Sequence, residues 1–131
     1  MINQIKILLR EELETMPKKA IVSKFIDFVS DNLDITNDLN VRLTNSKNGI
    51  TTTAVYDHDG NITVYIKNRA IVDILRSIAH EMVHHKQNEN GLLTGSPSEG
   101  ADGSDIENEA NAKAGELIRI FGRQNPEIYV N

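Results

Sequence analysis

The run Ile71-Val72-Asp73-Ile74-Leu75-Arg76-Ser77-Ile78-Ala79-His80-Glu81-Met82-Val83-His84-His85 decides how this chain is read. With about 100° of rotation per residue, Ile71, Ile74, Leu75, Ile78 and Met82 fall in one arc of a helix, and Val72, Ala79 and Val83 widen it. His80 and His84 fall opposite. Histidines that only filled a core would lie on the apolar stripe, so their placement asks for another explanation. Side chains four apart on a helix stand about 5–6 Å apart at Cβ, close enough for two imidazoles to share one cation. Glu81 between them can hold a water beside that cation, the equipment of metal-assisted hydrolysis. His85 projects toward the apolar side and reads as structural, and His58 lies in a turn and reads as solvated.

Catalytic zinc has three protein ligands and one open position, so a histidine pair needs a partner from elsewhere. The downstream candidates are Glu107, Glu109 and Glu116. Residues 104–122 read as a helix whose buried face is Ile106, Ala110, Ala114, Leu117, Ile118, Ile120 and Phe121. Glu107 and Asn111 lie on one inward flank of that face, Glu109 lies on the far flank, and Glu116 points away. Glu107 is therefore selected as the third ligand. Its competing reading is structural, as the N3 member of a Ser104-x-x-Glu107 capping box. Asn111, one turn on, is placed to accept a hydrogen bond from the distal ring nitrogen of a ligating histidine. Ala110, Ala112, Ala114 and Gly115 let this helix approach the first one closely.

Around these two helices the remaining chain is modest. With 131 residues, 39% hydrophobic and 25% charged, it suits one domain spanning 1–131 and is short for two. The net charge of -5 and the scattered basic residues argue against nucleic acid as a partner. The chain has no cysteine, which excludes disulfides and thiolate zinc sites. No stretch approaches the roughly 20 apolar residues needed to span a bilayer. The opening Met1-Ile2-Asn3-Gln4-Ile5-Lys6-Ile7-Leu8-Leu9-Arg10 is interrupted by charge, unlike a signal peptide. A cytoplasmic protein with no membrane partner is the expectation, and the abundance of Asn, Ile and Lys hints at an AT-rich genome such as that of a phage.

In chain order, residues 2 to 15 carry Ile2, Ile5, Leu8, Leu9 and Leu13 at helical spacing, and Lys18 to about Leu33 repeats the pattern, so 1–36 reads as a helical hairpin broken at Pro17. From Leu39 the period becomes two. Val41 and Leu43, then Thr51 to Tyr56, then Ile62 to Ile66 read as a three-stranded, mostly antiparallel meander over 39–67, with Gly60 and Asn61 supplying the positive φ of its second turn. Asn68 is the expected N-cap of a helix over 69–90, stopped by Asn88-Glu89-Asn90-Gly91. A loop over 92–103, the helix over 104–122 ended by Gly122, and an extended tail over 123–131 complete an α+β chain.

An HExxH helix followed by a helix carrying Glu-x-x-Ala-Asn resembles the gluzincin clan of zinc metallopeptidases. The stretch Glu107-Asn108-Glu109-Ala110-Asn111-Ala112-Lys113-Ala114 is similar to the corresponding helix of ImmA/IrrE-like peptidases, and the small size is similar to the minigluzincins. It departs from the former at Lys113, where an aromatic is usual, and from thermolysin-type enzymes at Asn111, where they carry aspartate.

The resemblance implies a zincin-like fold and one Zn2+ per chain held by His80, His84 and Glu107. It implies Glu81 as general base and acid, and a protein or peptide substrate. Tyr129, Tyr65 and Arg123 are the expected candidates for stabilising the oxyanion. Minigluzincins are latent forms with a terminal segment in the cleft, which makes Ile128-Tyr129-Val130 a candidate self-inhibitory tail. The rival reading is a catalytically silent zincin-fold module that binds or regulates a partner.

Overall fold

Leu39, Val41 and Leu43 are buried while Arg42 between them is exposed, the period-two signature of a strand with one face on a core. They belong to β2 (Leu39–Thr44), which lies beside β1 (Ile7–Glu11) and β4 (Asn61–Tyr65), with β3 (Ala54–Tyr56) on the far side of β4. The computed structural model describes residues 7–11, 19–46, 53–93 and 103–130. The strand order is β1-β2-β4-β3. β1 runs parallel to β2, β2 runs parallel to β4 with Val41 opposite Ile62 and Leu43 opposite Val64, and only β3 is antiparallel to its neighbour.

Two expectations are thereby corrected. The sheet is mixed and four-stranded, and the first segment supplies a strand over residues 7–11 where a helix was expected; residues 2–6 and 12–15 lie outside the described residues. The physical reason is that Ile7-Leu8-Leu9 is a short apolar run compatible with either period. α1 (Lys19–Leu33) then provides the crossover that parallel neighbours require, and β1 occupies an edge of β2 that would otherwise be unpaired.

Helices cover the sheet. α1 buries Val22, Phe25, Ile26 and Val29, α2 (Ile71–Glu89) buries Ile71, Ile74, Leu75, Ile78 and Met82, and α3 (Asp105–Gln124) buries Ala114, Leu117, Ile118 and Phe121. Phe25 and Phe121 meet edge to face at 4.9 Å, joining α1 to α3. α3 packs principally along α2, with Ala110 and Ala114 buried between them, so small side chains bring the two site-bearing helices together. Among the described residues, no helix is long and apolar enough to cross a membrane.

The ends of the helices differ in detail from expectation. Asn68 does not cap α2; it takes a positive φ of 58° in the turn before it, a conformation asparagine tolerates, and Ala70 is the N-cap. At the other end Gly91 at φ 73° lets Leu92 N–H reach Gln87 O (2.9 Å) and Gly91 N–H reach Asn88 O (3.0 Å), a Schellman closure. In the β3–β4 turn the positive φ angles fall on His58 and Gly60, where Gly60 and Asn61 were expected. A Cβ at Gly60 would also sit 2.8 Å from Asp38 O.

α3 does not stop at Gly122. It runs on to Gln124, and the bare Gly122 leaves room for the Tyr129 ring, whose Cε2 would lie 2.6 Å from a Cβ there. The chain then turns through Asn125, whose N–H and Nδ2 both donate to Phe121 O and whose Oδ1 accepts from Lys24 Nζ at 2.8 Å. Pro126–Tyr129 is a 3-10 turn and Ile128 is buried in the core. The tail expected to be extended is docked, because Ile128 gains more by burial than a free strand would.

His85 and Glu89 form a second polar cluster, facing away from the first histidine pair. His85 is buried, with Nδ1 3.0 Å from Tyr56 Oη and Nε2 3.2 Å from both Asn37 O and Glu89 Oε2. Glu89 accepts from the N–H groups of Thr36 and Asn37 at 2.8–3.1 Å, which pins the α1–β2 connection to α2. Burial alone would raise its pKa, but these donors, with Thr36 Oγ1 and Lys86, hold it below its usual 4.5. A depressed carboxylate contributes stability above its unfolded pKa and loses it as pH falls through the folded one. Glu89→Gln should therefore lose about 1–3 kcal/mol at pH 7, and the deficit relative to wild type should begin to shrink as pH falls below about 4.5; urea denaturation at pH 7 and pH 3.5 compares the two.

Candidate metal centre

His80 and His84 occupy successive turns of α2, and Glu107 comes from the first turn of α3. His80 Nε2 lies 3.0 Å from Glu107 Oε1, His84 Nε2 lies 3.0 Å from Glu107 Oε2, and the two Nε2 atoms are 3.2 Å apart. A cation about 2.0–2.1 Å from each of three tetrahedrally arranged donors spaces those donors roughly 3.3 Å apart. The observed triangle is within a few tenths of an ångström of that, and two imidazoles with one carboxylate is a donor set zinc accepts. Among the described residues this is the one group of three histidines or acids close enough to hold a metal ion.

Local structure explains the presentation. Ser104 Oγ accepts from Glu107 N–H at 3.2 Å and so caps α3. The Glu107 carboxylate reaches the imidazoles. The tight packing of His80 shows in its basicity. Burial and the neighbouring His84 imidazole push its pKa below 6.5, while Glu107 and a hydrogen bond to Asn111 pull the other way. Both shifting causes disfavour a protonated ring and keep it available to a cation.

His84 is oriented by a residue the sequence reading missed. Its Nδ1 lies 2.7 Å from Oε1 of Gln87, which is 2% exposed. Gln87 follows His84 by three residues, a spacing that puts both on one helix face and that could have drawn attention to it. Asn111, the expected orienter, is exposed and touches His80.

Glu81 borders a cleft of about 600 Å³ that also reaches His80, His84, Glu107 and Asn111. Burial is the main reason that its pKa is raised to about 7; the Glu107 carboxylate adds to the rise and His84 opposes it. Arg76 and Ser77, one turn before His80 and Glu81 on α2, and Arg69 just ahead of that helix line the same cleft. Arg69, also missed by the sequence reading, is held by three neutral oxygens: Nη1 donates to Tyr65 O (2.7 Å), and Nη2 to Asp73 O (3.0 Å) and Ser77 Oγ (2.7 Å).

The expected oxyanion donors lie elsewhere. Arg123 is sixteen residues beyond Glu107 on α3, roughly 24 Å along the axis, and Tyr129 rests on Gly122 near the same end. Neither they nor Tyr65 line the cleft. The docked tail also leaves the cleft, contrary to the expectation that it would lie there. Of the rejected ligands, Glu109 Oε1 accepts from Gln87 Nε2 at 2.8 Å, and Glu116 pairs loosely with Lys113 at 3.5 Å. Comparison of the chain with protein-family models, with curated proteins and with solved structures finds no match.

Proposed function

We propose that this chain is a zinc-dependent metallopeptidase, zincin-like in fold and of the gluzincin type. The observation that carries the reading is the His80–His84–Glu107 triangle, assembled from two helices at zinc-ligand spacing with Glu81 beside it. A bound zinc would supply Lewis-acid polarisation of a carbonyl and lower the pKa of a water toward about 7.

The remaining chemistry belongs to the chain's own side chains. Glu81, in the cleft wall beside His80 and His84, takes the proton of the attacking water and returns it to the leaving amine as general base and acid. Arg69, rigidly held and cationic, is our candidate for stabilising the carbonyl oxygen as it gains charge, replacing Tyr65, Arg123 and Tyr129. β3 is the last strand in the sheet order, and Thr53 and Ala54 reach the cleft.

Zinc content of protein purified without chelator, measured beside cleavage of an unstructured peptide, tests the proposal. We expect one zinc per chain and cleavage that stops when a chelator removes it. No zinc, even after dialysis against it, would overturn the reading and leave the binding module.

A further inference from the structure

Gln87 joins the two helices at the level of the triangle. Its Nε2 donates to Ile106 O at 3.1 Å and to Glu109 Oε1 at 2.8 Å, and its Oε1 lies 2.7 Å from His84 Nδ1. The direction of the amide follows from chemistry. A peptide carbonyl and a carboxylate only accept hydrogen bonds, so the end of Gln87 that faces α3 is its NH2 group. Its carbonyl then faces His84, and Nδ1 is the ring nitrogen that carries the proton. A neutral imidazole has one N–H, so Gln87 favours the tautomer whose Nε2 lone pair is directed at the point shared with His80 and Glu107, against the Glu107 carboxylate 3.0 Å from Nε2, which by itself favours a proton there.

The reverse orientation is equally instructive. With the amide turned over, NH2 would face Nδ1, the proton would move to Nε2, and that proton would occupy the space between His84, His80 and Glu107. Nothing in α2 alone prevents this; the acceptors on α3 do. Ile106 is also the residue before Glu107, so the amide that sets the His84 tautomer holds the backbone that delivers Glu107.

We propose that Glu109, Gln87 and His84 form a relay in which an exposed carboxylate, itself outside the metal position, sets the His84 tautomer and so the affinity for metal. The inference rests on the zinc reading above for its second half only. Gln87 and Glu109 are positioning residues, acting through His84.

The test is Glu109→Lys, which replaces the acceptor by a donor at an exposed site and favours the reversed amide, with Glu109→Gln as the conservative variant that retains a carbonyl. Two readouts are needed. In metal-free protein at pH 8, imidazole 15N shifts report the His84 tautomer; zinc affinity is read by competition with a chromogenic chelator. We expect Nδ1–H in the wild type and in Glu109→Gln. In Glu109→Lys we expect a shift toward Nε2–H and zinc binding weakened about 10–100-fold, the usual effect of disturbing an outer partner. An unchanged tautomer in Glu109→Lys overturns the relay even if zinc binds. A changed tautomer in Glu109→Lys, together with a wild-type protein that takes up no zinc, supports the relay and overturns the zinc reading.

Discussion

Glu81→Gln should abolish peptide hydrolysis, lowering kcat by about 10²–10⁴-fold, while leaving one zinc per chain. The amide matches the carboxylate in size and cannot take a proton, so the substitution removes the base and leaves His80, His84 and Glu107 in place. A second consequence separates this from a general loss of folding. In metal-free protein the folded pKa of about 7 lies above the usual 4.5. Between those values the folded state binds more protons than the unfolded one, so stability falls as pH rises through that window. Glutamine stays neutral throughout and escapes the penalty. Metal-free Glu81→Gln should therefore match wild type at pH 4.5 and below, and exceed it by about 3 kcal/mol at pH 8. Denaturant midpoints in the presence of chelator read this directly. A variant that hydrolyses peptide at the wild-type rate would remove Glu81 from the mechanism, and a variant no more stable at pH 8 would remove the burial argument for its pKa.

Glu107→Ala should be the most damaging change for metal binding. If the roughly 10–16 kcal/mol of a structural zinc site is shared among its ligands, losing one of three costs about two to four orders of magnitude in affinity. The outcome is informative because Glu109 is committed elsewhere, to Gln87, and cannot step in without releasing the amide that orients His84. Zinc bound as tightly as in wild type would show that the carboxylate near the imidazoles is a structural ion pair. Glu107 is also one cause of the raised Glu81 pKa, so its removal should narrow the pH window in which metal-free Glu81→Gln is the more stable protein. Activity, affinity and pH-dependent stability thus report on the same carboxylate by separate routes.

Much of the candidate site was legible because it depends on helical periodicity. The opposed placement of His80 and His84, the flank carrying Glu107, and the Ser104 cap all follow from residues within a turn or two of one another. What periodicity could not supply was the direction of side chains between helices. Gln87 reads as one more polar residue near the end of α2 until α3 places Ile106 O and Glu109 beside it. Arg69 reads as a turn residue until Tyr65 O, Asp73 O and Ser77 Oγ surround it. Tyr65, Arg123 and Tyr129 were candidate donors by residue type alone; the structure leaves Tyr65 out of the cleft lining and sets Arg123 and Tyr129 at the far end of α3.

The sequence by itself determined that α2 and α3 are amphipathic helices, that two histidines face away from the apolar stripe, and that the class is α+β. These are consequences of local backbone geometry and of which positions can be apolar. Only the tertiary structure decided that Ile7–Glu11 is a strand, that β2 and β4 are parallel neighbours, that the tail docks through Ile128, and that Gln87 links His84 to Glu109. Each of these depends on partners dozens of residues away. The short apolar run at residues 7–9 fits a helix or a strand until β2 offers it an edge, and a buried amide has no direction until the groups around it do.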